Sequence, residues 1–362
     1  MRIVHLANHI RNSGNGIVNM MVDLACSQAN AGNEVIVATS GGEFDELLNR
    51  HGVRTFQLPQ SSRLWRIFSM IRAFRELARE CQPDVVHAHM VTGILIGRFA
   101  AVKRNYVLVA TVHNVFQRSA SLMRLGDRVV CVTKDVAKSM RNRGISRSKI
   151  EVVRNGTIGS PRRSQMELPS AETLERPCIV TVAGMYERKG IRDLILAFSL
   201  VNGRFPESNL YLVGDGPDRP AMEALVHDLK LEERVRFTGF ISDPRSYLRN
   251  SDVFVLASHN ESGALALVEA REAGCAIIAT DVDGNPEMLD FGRAGVLVPV
   301  KNPETLADEI CMMLHNHELR ESYRQRSRIG INEFRVENVC EQYLSIYRRA
   351  IICLGKRSGK RD

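Results

Sequence analysis

Ser258-His259-Asn260-Glu261-Ser262-Gly263-Ala264-Leu265-Ala266-Leu267-Val268-Glu269-Ala270 is the stretch on which the reading of this chain turns. It follows Val253-Phe254-Val255-Leu256-Ala257, an apolar run of strand length, and its own residues read as a loop that opens a helix near Ala264. A strand that passes through a short polar loop into a helix is half of a β-α-β unit. The N–H groups of the first helical turn have no partners within their own helix, so such a terminus offers a site for an anion such as a diphosphate. Gly263 permits close backbone approach there. Glu261 stands at the mouth of this site and Glu269 farther along the helix. An ionised carboxylate only accepts hydrogen bonds, which suits the hydroxyls of sugars. The plainer alternative is an N-capping acid and a solvated helix acid.

The same grammar extends in both directions. Upstream, apolar runs at 2–7, 34–40, 55–59, 84–89, 106–113, 128–133 and 149–155 read as buried strands, with helical patterns between them at 17–31, 63–81 and 134–142. Strict alternation of this kind implies a parallel sheet covered on both faces. It breaks at Gly159-Ser160-Pro161-Arg162-Arg163-Ser164, and polar residues continue to Arg176-Pro177, the expected linker. The alternation restarts with strands at 178–184, 209–214, 235–240, 253–258, 276–280 and 295–299 and closes with helices at 303–315, 318–329 and 336–352. The expected domains are residues 1–165, residues 166–335, and a helix with a basic tail at 336–362 that packs back toward the first. The fold class is α/β, two facing doubly wound Rossmann-like domains with a cleft between them. Ligands of open α/β sheets sit outside the carboxyl ends of the strands, so chemistry is sought at the strand-to-helix turns.

Composition narrows the function classes. With 362 residues, 44% hydrophobic and 25% charged, the chain is an ordinary globular one and not a disordered polymer. Its net charge of +8 is unevenly placed. Residues 1–165 hold 24 Lys and Arg against 11 Asp and Glu, or +13, and the remainder holds 25 against 30, or −5. A basic half suits nucleic acid, an anionic membrane surface or a phosphorylated substrate, and charge alone does not choose. No run of ~18 apolar residues spans a bilayer, and the first residues do not form a secretory signal, so the chain is read as cytoplasmic. Eight scattered cysteines, none in C-x-x-C spacing, are expected to be reduced core residues. His87 and His89 share one face of a strand, yet no third ligand is visible in the sequence, so they are read as packing or acceptor contacts. Asp281-Val282-Asp283 imitates a metal-binding D-x-D, a reading set aside because of its position in the pattern described next. The helix at 62–81 carries Leu64, Ile67, Met70, Ile71, Phe74, Leu77 and Ala78 on one stripe and Arg72, Arg75 and Arg79 opposite, with Trp65 on the arginine side. That arrangement suits either an interfacial helix at an anionic membrane or a core helix with a solvated face.

The Glu261–Glu269 block continues into Ala273-Gly274-Cys275-Ala276-Ile277-Ile278-Ala279-Thr280, Gly284-Asn285-Pro286-Glu287 and Gly295-Val296-Leu297-Val298. It is preceded by Pro83-Asp84-Val85-Val86-His87-Ala88-His89, Thr111-Val112-His113, Asn155-Gly156, Arg188-Lys189-Gly190 and Gly214-Asp215-Gly216-Pro217. In this order the pieces resemble the retaining glycosyltransferases of family 4, which have the GT-B fold. The resemblance implies that Glu261 contacts hydroxyls of the donor sugar, Glu269 the ribose of the nucleotide, and Lys189 the diphosphate. It makes His113 the histidine near the reacting sugar. Gly14-Asn15-Gly16 matches the loop that approaches donor phosphate, so Gly16 joins the donor-binding set with Arg188, Gly263, Ala264, Leu265 and Glu269; His113, Lys189 and Glu261 form the catalytic set.

The resemblance further implies transfer from a nucleotide-diphosphate-sugar to a glycan or lipid-linked acceptor in polysaccharide biosynthesis, with retention, by a front-face displacement and without metal or other cofactor. Peripheral contact with an anionic membrane is an expected partner; nucleic acid is not. The sequence departs from the pattern at Met185, where the family has an arginine that grips phosphate and for which Arg188 is the nearest substitute. It departs again at Glu261-Ser262-Gly263-Ala264, where the family reads E-G-F-G, and at Thr157-Ile158, which replace a hydrophobic residue and Asp. A sugar-nucleotide epimerase of the same fold and a noncatalytic basic nucleic-acid binder are the alternatives. The second lacks interleaved aromatic residues.

Overall fold

Segments with Val, Ile, Leu or Ala at nearly every position bury both faces, and only a parallel sheet with helices on each side lets them do so. The computed structural model describes residues 1–58, 64–100, 104–163 and 174–358, except the side chains of 64–66 and 356–358. The chain divides into two compact units, Met1–Ser164 with Glu333–Asp362, and Gln165–Asn332.

The first unit holds β1 (Arg2–Leu6), β2 (Glu34–Thr39), β3 (Arg54–Gln57), β4 (Val85–Ala88), β5 (Val107–Val112), β6 (Arg128–Cys131) and β7 (Ile150–Val152). They form one sheet in the order β3-β2-β1-β4-β5-β6-β7, parallel throughout. Its helices are α1 (Gly16–Asn30), α2 (Asp45–Arg50), α3 (Leu64–Cys81), α4 (Val91–Phe99), α5 (Lys134–Asn142) and, from the far end of the chain, α13 (Val336–Ser358). Alternation along the strands separates two cores. Leu6, Val86, Ala88, Leu108 and Ala110 pack against Met70, Phe74 and Leu77 of α3 and Ile94 of α4. Ile3, Val85, Val107 and Val109 pack against Met20 and Leu24 of α1 and Tyr343, Leu344 and Tyr347 of α13.

One expectation for this unit changes. The linker expected from Gly159 does not begin there. Arg162 holds both oxygens of buried Asp23 at 2.9 Å, and Ser160 donates to the same carboxylate at 2.7 Å, so residues 159–163 are a turn tied to α1. The rest of that linker up to 173 lies outside the described residues. On α3 Met70, Phe74 and Leu77 of the apolar stripe are buried and Ile67, Ile71 and Ala78 partly so, while the side chain of Leu64 lies outside the described residues. Arg72, Arg75 and Arg79 opposite it are exposed; Arg75 also donates to the carbonyls of Phe99 and Ala100 at the end of α4, and Arg72 pairs with Glu76 on the surface. The side chain of Trp65 lies outside the described residues, while Phe68 is 81% exposed.

The second unit repeats the design. Its strands are β8 (Cys178–Val182), β9 (Asn209–Val213), β10 (Val235–Gly239), β11 (Val253–Leu256), β12 (Ile277–Thr280) and β13 (Val296–Val298). They run parallel in the order β10-β9-β8-β11-β12-β13. The helices are α6 (Ile191–Arg204), α7 (Arg219–Asp228), α8 (Arg245–Asn250), α9 (Leu265–Ala273), α10 (Asn285–Met288), α11 (Pro303–His315) and α12 (His317–Ser327). In each sheet the winding reverses once, between β1 and β4 and between β8 and β11. Those switch points are where doubly wound folds place ligands.

The eight cysteines are free, seven of them buried, as expected of reduced core residues. Among the described residues no helix is long and apolar enough to cross a membrane.

Candidate active site

The site in the second unit is built from the two turns that flank its switch point. After β8 the chain passes a short turn, Glu187–Lys189, to Gly190, which has φ +64. A Cβ at Gly190 would collide with the carbonyl of Ala257 at the end of β11. Only glycine therefore lets the first turn lie on the second, which explains the Lys-Gly pair physically. The backbone seals the contact: the N–H of His259 donates to the carbonyl of Arg188 at 2.8 Å. The His259 ring bonds Asp193 of α6 at 2.6 Å.

This close approach brings Lys189 and Glu261 together as an ion pair between the Lys189 ammonium and Glu261 Oε2. Both side chains are mostly shielded, at 16% and 10% exposed. Glu261 is held from behind. Its N–H donates to Asp283 Oδ2 at 2.8 Å, and its carbonyl accepts from the N–H of Gly284. The Asp281-Val282-Asp283 stretch thus clasps the Glu261 loop through the Asp283 side chain, a role the sequence pattern did not reveal.

Beyond Glu261 the loop delivers its backbone to α9. Ala264 is the N-cap residue, so no side chain at that position caps the first turn. The buried hydroxyl of Ser262, standing where the family pattern has glycine, has no partner among the described residues. The helix then runs on Leu, Ala and Glu, good helix formers, and stops at Gly274 in the left-handed region at φ +74. Arg271, wholly buried, anchors it by donating to the carbonyls of Met288, Ser327 and Ile329. Glu269 is half-buried on this helix. Arg245 of α8 has its guanidinium pushed up chiefly by its hydrogen bond to Asp243, with smaller contributions from Glu272 and Glu269.

At Met185, where the family pattern has a phosphate-gripping arginine, the side chain is 1% exposed and belongs to the hydrophobic core of the second unit. Arg188 does not follow Lys189 inward: its guanidinium lies 5.6 Å over the exposed ring of Tyr186. The two adjacent cations have different partners, as alternate residues in a tight turn must.

Gly16 and His113 belong to the first unit. Gly16 opens α1, whose N-cap Asn15 accepts from the N–H of Ile17 at 3.0 Å. His113 follows the end of β5, and its Nε2 is bonded to His89 Nδ1 at 3.2 Å. His89 belongs to a buried cluster that corrects the sequence reading of a histidine pair without a third member. Register pairs His5 on β1 with His87 on β4, and His5, His87 and His89 have ring nitrogens within 4.8 Å of one another. That proximity meets a first requirement for a metal, but the nitrogens are already spoken for. His5 bonds Gln28 at 2.8 Å and His89 at 2.9 Å; His87 bonds Thr111 and the Tyr347 hydroxyl, each at 2.7 Å; His89 bonds His113. All six nitrogens have protein partners, so the cluster is a hydrogen-bond network. Burial holds every ring neutral, lowering His5 to about 4 and His113 to about 3 and pushing His87 and His89 well below the usual histidine range. His5, Gln28 and Tyr343 were not singled out in the sequence, because parallel register and the return of α13 assemble them.

Two family models match the chain, "Glycosyltransferase Family 4" over residues 14–157 and "Glycosyl transferases group 1" over residues 165–329. The chain belongs to the group 1, family 4 glycosyltransferases. Among its relatives, the lipopolysaccharide core biosynthesis glycosyltransferase LpsE of Rhizobium meliloti is 26% identical over 75% of this chain and 78% of its own. The phosphatidyl-myo-inositol mannosyltransferase of Mycolicibacterium smegmatis is 26% identical over 92% and 89%. The fold of the transferase matches that of Anabaena HepE in complex with UDP-glucose, with a TM-score of 0.83 at 18% identity over 96% of this chain and 100% of that one. It also matches WaaG, a glycosyltransferase involved in lipopolysaccharide biosynthesis, with a TM-score of 0.76 at 16% identity over 95% and 99%. The GT-B architecture expected from the sequence is thus the fold of this transferase.

Proposed function

We propose that the transferase moves a sugar from a nucleotide-diphosphate donor to a glycan or lipid-linked acceptor, with retention of anomeric configuration and without a metal. The observation that carries this reading is the Lys189–Glu261 pair beside the uncapped terminus of α9. Breaking a sugar–diphosphate bond builds negative charge on the leaving group. A lysine and helix N–H groups stabilise that charge where it develops. An ammonium has three donors, so Lys189 can keep Glu261 while bonding a phosphate oxygen. The Ser262 hydroxyl, orphaned at the loop, adds a donor beside the same terminus. Glu261 then accepts from hydroxyls of the donor sugar, Glu269 from the ribose, and His113 bonds a hydroxyl of the sugar. Gly16, Gly263, Ala264 and Leu265 supply backbone to the donor, and Arg188 attracts it electrostatically from the turn. The leaving diphosphate assists the incoming hydroxyl on the same face of the sugar, which retains configuration.

HepE holds UDP and UDP-glucose, which makes uridine diphosphate sugars the first donors to try. LpsE and the inositol mannosyltransferase are named for lipopolysaccharide core biosynthesis and for a phospholipid acceptor, which supports a cell-surface glycan or lipid-linked acceptor and work at the cytoplasmic membrane face. The +13 first half supports peripheral attraction to an anionic leaflet. The test is a thermal-shift panel of UDP, GDP and ADP sugars, in which a true donor at ~100 times its Kd stabilises by about 2.7 kcal/mol. Transfer assays with the donor so found, with and without EDTA, follow. Activity abolished by EDTA and restored by Mg²⁺ overturns the metal-free reading, and a changed sugar without acceptor identifies an epimerase instead.

A further inference from the structure

The buried network of the first unit has a direction. It begins at Gln28 on α1, whose Oε1 lies 2.8 Å from His5 Nε2. An amide oxygen only accepts, so His5 carries its proton on Nε2. A neutral imidazole has one N–H, which leaves His5 Nδ1 a lone pair, and His89 Nε2 at 2.9 Å must donate to it. His89 Nδ1 is then a lone pair in turn and accepts from His113 Nε2 at 3.2 Å. The chain ends at His113 Nδ1, a buried nitrogen with no partner among the described residues. His5 and His89 stack at 26° with ring centroids 5.2 Å apart, and His89 and His113 at 25° and 5.5 Å, so each ring also fixes the plane of the next.

Gln28 is itself oriented. Its Nε2 donates to the Tyr347 hydroxyl at 3.4 Å, and that hydroxyl bonds His87 Nδ1 at 2.7 Å. Tyr347 comes from α13, so that helix joins Gln28 and His87 into the same network. Rotating the Gln28 amide would reverse every link and turn His113 Nδ1 from acceptor to donor. Two self-consistent states therefore exist, and the orientation of the Gln28 amide distinguishes them.

We propose that Gln28, through His5 and His89, fixes His113 in the tautomer with the proton on Nε2, so that His113 Nδ1 is presented to substrate as a hydrogen-bond acceptor for a sugar hydroxyl. Gln28, His5 and His89 are positioning residues; only His113 touches the sugar. The relay transfers no proton, because burial keeps each ring neutral. Its work is to exclude sugars that offer an acceptor, such as an ether or a carbonyl, where a hydroxyl is required. This inference rests on the assignment of His113 to the sugar.

Long-range ¹⁵N–¹H correlation spectra of the full-length protein labelled with ¹⁵N-histidine read the tautomer directly, with His113 assigned from the signal lost in His113→Gln. A pyrrole-type Nε2 and a pyridine-type Nδ1 at His113 are expected in the wild type. The opposite tautomer overturns the relay, with no variant needed. In Gln28→Leu the His113 signals are expected to shift toward mixed tautomers and the KM for the donor sugar to rise about tenfold, one neutral hydrogen bond. Gln28→Glu, which keeps an acceptor facing His5, is expected to restore the tautomer. A His113 spectrum unmoved by Gln28→Leu also overturns the relay. A moved spectrum with unchanged KM leaves the relay standing and overturns the placement of His113 at the sugar.

Discussion

The two switch points of this molecule have the same topology and opposite chemistry. Between β1 and β4, the first unit places neutral groups, His5, His87 and Gln28, wholly buried and joined in one network, His5 directly to Gln28 and His87 to Gln28 through the Tyr347 hydroxyl. Between β8 and β11, the second unit places full charges, Lys189 and Glu261, paired but still reached by solvent. The difference follows from desolvation. A group that can shed its charge goes neutral when buried and satisfies itself with hydrogen bonds. Lysine and glutamate stay charged by pairing near the surface, where a diphosphate can still compete. One strand arrangement therefore yields a rigid hydrogen-bond network in one unit and an exchangeable ion pair in the other.

Acid breaks this comparison most severely. An unfolded histidine titrates near 6.5, whereas His5 in the folded protein is lowered to about 4 and His113 to about 3. Between those values the unfolded chain binds more protons than the native one, so stability falls as pH falls. The slope is about 1.4 kcal/mol per pH unit for each such histidine. The first unit is expected to open before the second between pH 6 and 4, and hydrogen exchange resolved by peptide locates the loss. Protection lost first in the second unit would remove the contrast.

Lys189→Ala is expected next, lowering turnover ~10²- to 10³-fold while the melting temperature changes little. A comparable fall in stability with normal turnover would make the pair a structural one. Tyr347→Phe strips a hydroxyl from the buried network and leaves His87 Nδ1 without its partner. It is expected to lower stability by about 1–3 kcal/mol, measured by denaturant midpoint. The smallest expected effects separate two carboxylates. Glu261→Gln reduces chiefly kcat and Glu269→Gln chiefly the affinity for the nucleoside diphosphate, and steady-state kinetics with product inhibition tells them apart. Identical phenotypes would count against opposite ends of the donor.

What the sequence disclosed depended on whether a signal was local. Strands such as β5 and β11 show as unbroken apolar runs, and the alternation of strand and helix gives two parallel sheets without further help. Lys189-Gly190 and Glu261 through Glu269 show as local patterns, and the family resemblance supplies their roles. Nothing local distinguishes Met185 of the core from a turn residue facing a ligand. The metal-ligand question at His87 and His89 was posed with half its members missing, because His5 joins them only through the β1–β4 register and His113 through the end of β5. The bonds of Arg75 to the end of α4 were not legible because α4 ends beside it in space and not in sequence.

The return of α13 bears on the order in which the protein is made. Residues 1–164 leave the ribosome first, yet the sheet face that carries Val109, Thr111 and His87 is closed by Tyr343 and Tyr347. A nascent first unit therefore holds a half-covered sheet and unsatisfied histidines while the whole second unit is being synthesised, a state that exposes apolar surface to chaperones or to aggregation. The Tyr347 hydroxyl also arrives only then, so the histidines acquire their full set of partners only after the second unit has been made. A nascent chain cut at residue 335 and extended by a linker long enough to clear the ribosomal tunnel should carry a folded second unit and an unfinished first one.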